Sequence, residues 1–127
     1  MSHLTVSLLQ ILFVSILMVA AQLLLKAGMR GSPALEPTPG AVLGLLHRVL
    51  TTPVLLVGWA CGTAATLVWL IVLSRLELSY ASPTMTGLYF VLLLLATRVL
   101  LAEAVSPVRW AGTVLVIFGI FLMSRKG

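Results

Sequence analysis

Lys26 closes an uncharged apolar run that begins at Leu4, and Arg98 lies near the end of a second run starting at about Ala81. A charged side chain at membrane depth is expensive, so it is by default a functional candidate. A cation in that position complements an anionic headgroup such as a lipid phosphate. The competing role is snorkelling: both side chains are long enough to reach the polar interface from a helix end, as simple anchors of topology. Gln22 precedes Lys26 by four residues and therefore shares its helix face. Its amide needs a partner in hydrocarbon, either a ligand headgroup or another helix. Ser15 falls near the same stripe, but its hydroxyl can bond back to its own helix.

Glu103 stands near Arg109 in a short connector. We expect it to pair with Arg98 or Arg109 and hold two helices in register, with ligand contact as the alternative. The other carboxylates are Glu36 and Glu77, and the chain has no Asp. None of the three lies within an apolar run, so a carboxylate that could bind protons or a cation inside the membrane is missing. Glu77 and Arg75 read as a solvated turn. Trp69, Tyr80, Tyr89 and Trp110 fall toward helix ends, as an interfacial aromatic belt requires. Of these, Trp69, Tyr80 and Tyr89 are also candidates for lining a ligand path. His3 and His47 are far apart, Cys61 is the single cysteine, and no nucleophile–base pair or phosphate loop is present. No enzyme chemistry, metal or cofactor is expected.

The elements that must position these residues follow from composition. Of 127 residues, 61% are hydrophobic and 9% charged, against about 45–50% and 25% in soluble domains. So short a chain cannot hide that much apolar surface, and the excess must face lipid. The net charge of +5 comes from scattered Lys and Arg at the edges of apolar runs. That pattern suits headgroups and membrane orientation rather than nucleic acid. We read an all-α integral membrane protein, one domain over residues 1–127, with four spans at about 4–29, 53–74, 81–101 and 107–123, each near the length of about 20 residues that a bilayer requires. The first run lacks a preceding cation and is too long for a signal peptide, so it reads as a retained helix. Residues 30–52 form a Pro-punctuated loop followed by a segment, 41–50, that lies in the interface or begins the next helix. Pro83 is expected near a helix start, where no donor is needed. Ser106 reads as an N-cap with Pro107 at the first helical position.

Four spans place both termini on one side. The termini and middle connector carry Arg75, Arg125 and Lys126, and the other loops carry Arg30, Arg48 and Arg109. The balance is three against three, or three against five if Lys26 and Arg98 join the loops, so the positive-inside signal is weak. Weak bias is compatible with copies inserted both ways up and paired antiparallel, or with orientation fixed by a partner. Four helices enclose little room, so a path between two subunits is the simpler architecture. Gly58 and Gly62 form a GxxxG pair, and Gly112 and Gly119 are seven apart, near one helix face. Both pairs are candidate dimer contacts, with packing inside one subunit as the alternative.

Three stretches carry a resemblance: Val19-Ala-Ala-Gln-Leu-Leu-Leu-Lys26; Trp69-Leu-Ile-Val-Leu running into Tyr80-Ala-Ser-Pro83; and Glu103-Ala-Val-Ser-Pro-Val-Arg-Trp110 with Gly112 and Gly119 beyond it. With these the chain resembles four-helix members of the drug/metabolite transporter superfamily, above all the small subunits that flip aminoarabinose-phosphoundecaprenol. The resemblance implies a transporter of a polyprenyl-phosphate-linked sugar, or a similar anionic lipid, in a bacterial inner membrane. It implies a homodimer, or a heterodimer with a related four-helix subunit, with membrane lipid as surroundings and substrate. The chain also looks like the small multidrug resistance family, which exports hydrophobic or guanidinium-like cations. That family's embedded first-helix glutamate falls here on Met18, which cannot titrate. A third possibility is a non-transporting accessory subunit of a larger membrane complex.

Overall fold

The computed structural model describes residues 2–125, so Lys126, one of the cations in the orientation count, lies outside the described residues. The chain folds into five helices: α1 His3–Gly28, α2 Pro39–Thr51, α3 Pro53–Leu73, α4 Leu78–Leu100 and α5 Pro107–Ser124. Segment 30–52 thus contains a separate helix where sequence alone left its form open. Thr52 adopts an extended backbone between α2 and α3, and Pro53 opens the next helix with its fixed φ. α1, α3 and α4 are each long and apolar enough to cross a membrane, at about 39, 32 and 35 Å by helical rise. α5, at about 27 Å, is the shorter apolar helix.

Local signals account for most helix ends. Ser2, Thr38 and Ser106 each accept a hydrogen bond from a backbone N–H three residues on, at 3.2, 3.2 and 3.3 Å, which satisfies one of the four free donors at each helix start. α4 begins at Leu78, three residues before the boundary expected from hydropathy. Pro83 therefore sits in the second turn rather than the first, and the carbonyl of Ser79 loses its usual donor. The polar stretch Leu78-Ser-Tyr is helical because Tyr80 and Ala81 donate to the carbonyl of Glu77, a preference that hydropathy does not register.

α1 lies between α3 and α4, antiparallel to the former and parallel to the latter; α3 and α4 meet each other only weakly. Ile11, Val72 and Ala81, one from each helix, form a buried cluster surrounded by Trp69, Leu73, Leu76, Met85 and Leu88. At the other end of α1, close approach replaces bulk. A Cβ at Gly58 would lie 3.1 Å from Leu25 Cγ and 3.3 Å from Leu24 Cβ, and one at Gly28 would overlap the Leu55 side chain. α5 packs only on α4, and the backbone of α2 approaches only that of α3 among the helices. Ile120 of α5 fills the space that a side chain at Gly87 would take.

Most large apolar side chains are exposed, including Leu43, Leu50, Leu67, Val108 and Leu115. With hydrocarbon as solvent this is the stable arrangement, because lipid gives no reason to bury them, while every backbone polar group must find a partner within its helix. The seam of α1 against α3 then depends on fit. Gly58→Leu is expected to destabilise the fold by about 1–3 kcal/mol, whereas Gly44→Ala, on the open side of α2, is expected to be neutral or slightly stabilising. Unfolding of the detergent-purified chain checks both.

Candidate functional site

The site lies where α1 ends beside the end of α4. Lys26 is in the last turn of α1, and Glu103 follows α4 by three residues. Their side chains form an ion pair, Lys26 Nζ to Glu103 Oε1 at 3.3 Å. This corrects the expected partner of Glu103: neither Arg98 nor Arg109 takes it. The reason is topological, since α1 and α4 run parallel and finish at the same membrane edge. Arg98 is exposed and stands outside this junction.

Glu103 is positioned by its backbone. α4 ends at Leu100 with Leu101 as its C-cap, and Ala102 takes a positive φ of 51°, a left-handed turn that costs a residue with a Cβ roughly 1–2 kcal/mol. The turn brings the Glu103 N–H to the carbonyl of Thr97 at 3.2 Å, and Leu101 donates to the same oxygen at 3.2 Å. Two donors on one terminal carbonyl close the helix end and fix the direction in which the chain leaves.

Beneath the pair is an open cavity of about 390 Å³ between α1 and α4. Gln22, Lys26, Thr97 and Glu103 supply its polar lining, and Leu23, Leu25, Met29 and Leu93 are among its apolar walls. Its size is within the range of about 300–1,000 Å³ typical of ligand sites. Gln22 and Lys26 both face it, as their spacing of four requires. The Lys26 and Glu103 side chains keep 64% and 42% of their exposure, so the pair is reachable from outside and screened by solvent.

The remaining sequence candidates lie elsewhere. Trp69 packs against the Ile11–Val72–Ala81 cluster. Tyr80 provides the carbonyl that accepts the Thr84 hydroxyl at 2.7 Å, and Tyr89 stacks at a tilt on Phe90 with centroids 5.8 Å apart. Gly58 is buried against α1 within the chain, while a Cβ placed at Gly62, Gly112 or Gly119 would have nothing within 4 Å. Ser15 bonds back to the carbonyl of Ile11 at 2.8 Å.

Two features escaped the sequence. Arg48, which sequence marks only as a loop charge, donates to the carbonyls of Gly28 at 3.3 Å and Arg30 at 3.5 Å. It thereby ties α2 to the C-terminus of α1, where a cation also suits the helix dipole. The pairing of Lys26 with Glu103 is the other. Its signal was available, because the first and third of the expected spans run the same way and end at one edge, but proximity in sequence favoured the arginines.

Comparison with known proteins points to a family of membrane transporter subunits. The chain is similar to a probable 4-amino-4-deoxy-L-arabinose-phosphoundecaprenol flippase subunit ArnE of Pseudomonas savastanoi pv. phaseolicola, with 36% identity over 91 residues covering 72% of this chain and 75% of that protein. A protein of the same description from Serratia proteamaculans is 46% identical over 81 residues, 64% of this chain and 65% of its own length. Another from Pseudomonas syringae pv. syringae is 40% identical over 67 residues, covering 53% and 61%. The matches therefore span three quarters of the first relative and just under two thirds of the other two. No profile of a protein family and no solved structure matches the chain. The chain belongs to the ArnE family of flippase subunits. It is a multi-pass membrane protein of a transporter family, not an enzyme.

A double-mutant cycle with Lys26→Gln and Glu103→Gln is expected to give a coupling of about 0.2–1 kcal/mol, the range for exposed pairs. Arg48→Gln is expected to speed amide hydrogen exchange over residues 25–31 without changing exchange in the core of α4.

Proposed function

We propose that this chain is one half of a transporter that moves a polyprenyl-phosphate-linked aminosugar between the leaflets of a bacterial inner membrane. The observation that carries the proposal is the cavity holding Lys26 and Gln22 at the membrane edge. A headgroup phosphate would meet the Lys26 ammonium, and a sugar hydroxyl would meet the Gln22 amide. The polyprenyl tail, far too large for about 390 Å³, would stay in the surrounding lipid, which the openness of the site between two helices allows. The function ascribed to the relatives supports this substrate class.

In this reading α5 is the fourth span. A bilayer core is about 30 Å thick, and α5 falls short of it by an amount that local thinning accommodates. Pairing with a second subunit, either another copy or a related four-helix chain, completes the path. α5 is the natural place for that contact. Only its α4 side is covered, and Gly112 and Gly119 leave an open strip on which another backbone can approach. The description of the relatives as subunits supports the need for a partner. An antiparallel arrangement would suit the weak charge bias.

The multidrug-type alternative receives no support from the spans: α1, α3, α4 and α5 contain no Asp or Glu among the described residues. A cation in low dielectric without a counter-charge is strongly disfavoured.

In reconstituted vesicles, Lys26→Gln is expected to slow movement of the lipid-linked aminosugar at least about ten-fold, the loss of one charge-assisted hydrogen bond. Arg98→Gln, outside the cavity, is expected to change it less than about two-fold by the same measure. Wild-type speed in Lys26→Gln would sink the reading. Gly119→Leu is expected to weaken subunit association, read by native mass spectrometry, while leaving the thermal stability of the single chain intact.

A further inference from the structure

The charges lining the cavity sum to zero. Lys26 and Glu103 compensate one another at 3.3 Å, and this is the only ion pair among the described residues. Each group is only partly used. The ammonium has three donors and the carboxylate two oxygens, and both side chains remain accessible. A headgroup carrying phosphate alone would draw Lys26 away and leave a carboxylate uncompensated at the membrane edge, adjacent to a second negative charge. A headgroup carrying both phosphate and ammonium avoids that penalty. It opens one ion pair and forms two, phosphate on Lys26 and ammonium on Glu103, so the local charge stays balanced throughout.

The geometry of Glu103 fits such a role better than that of a loose surface carboxylate. Its position follows from the left-handed turn at Ala102 and from its own N–H on the Thr97 carbonyl at 3.2 Å. The backbone that carries the carboxylate is thereby fixed independently of Lys26, so Glu103 stays at the rim of the cavity when Lys26 turns to another partner. Arg98 and Arg109 are exposed and form no ion pair with it, so among the described residues Lys26 is the one cation paired with Glu103.

Resting on the transporter reading above, we propose that Glu103 recognises a headgroup amine, and that the Lys26–Glu103 pair selects lipids bearing an ammonium a few bonds from a phosphate over lipids bearing phosphate alone. Glu103 is then a specificity residue, and its pairing with Lys26 is the resting state that the headgroup replaces. The same chemistry occurs in an aminosugar-phosphate polyprenol and in phosphatidylethanolamine.

The test is native mass spectrometry of the full chain in detergent, titrated separately with undecaprenyl phosphate, its 4-amino-4-deoxyarabinose derivative, phosphatidylglycerol and phosphatidylethanolamine. The wild type is expected to prefer each amine-bearing lipid over its anionic counterpart by about five-fold, the upper range of one exposed ion pair. Glu103→Gln is expected to bring that ratio below about two-fold, and Glu103→Asp, which keeps the charge, to restore it. A larger preference within the polyprenyl pair assigns the amine to the aminosugar lipid; a larger one within the phospholipid pair assigns it to the bulk aminophospholipid. The inference is overturned if the wild type holds amine-bearing and amine-free lipids equally, or if Glu103→Gln keeps the preference. Equal binding of the two polyprenyl lipids leaves the transporter reading standing. Failure to bind either of them, with the phospholipid preference retained, removes that reading and not this one.

Discussion

α1 separates α3 from α4, and the rest of the structure depends on the closeness of its approach to α3. In lipid there is no hydrophobic gain from bringing two apolar helices together, so contact has to come from dispersion between well-fitted surfaces. Gly28 and Gly58 provide that fit at one end, admitting Leu55 and Leu25 where any larger residue would hold the helices apart. The Ile11–Val72–Ala81 cluster provides it at the other. With α1 locked to α3, α4 can pack on the remaining side of α1, and the two parallel helices finish at one membrane edge. The cavity and the ion pair above it are consequences of that layout.

Polar groups are concentrated at the ends of the helices, and each has a specific electrostatic reason. Arg48 binds carbonyls that α1 leaves free, Lys26 occupies the last turn of the same helix, and Glu103 follows a helix end closed by two donors on Thr97. Within the spans, hydroxyls such as those of Ser15, Thr63 and Thr84 return to carbonyls of their own helices at 2.7–2.9 Å, which hides them from lipid without an interhelical partner. Two buried oxygens on α1, Ser7 Oγ and Gln10 Oε1, have no hydrogen-bond partner among the described residues. They lie toward the opposite end from Lys26, so α1 carries polar side chains at both edges of the membrane.

Much of this was legible in residues alone. Hydropathy located the long apolar helices, Ser106-Pro107 marked the start of α5, and the spacing of Gln22 and Lys26 placed both on one face. The start of α4 was not legible, because a polar first turn held by the carbonyl of Glu77 carries no apolar signal. The form of segment 30–52 was left open for a related reason. Its apolar residues are spaced for a helix but number too few to tell an interfacial helix from the first turns of a span. Trp69 could be placed near a helix end, but whether it met a cavity or a core depended on which helix lay opposite.

The sequence by itself determined that this is a membrane protein and that the spans lack acids. It also determined that cations with a glutamine nearby mark one end of the first helix. Those are properties of composition and of period along a single helix, and they need no knowledge of neighbours. Tertiary structure alone decided that Glu103 belongs to Lys26 rather than to an arginine nearby in the chain, and that Gly58 is used inside the subunit while Gly112 and Gly119 stay open. It also decided that Arg98 stands outside the cavity. Each of these depends on which helices touch and in which direction they run, and in a solvent as apolar as the side chains themselves that choice is made by shape.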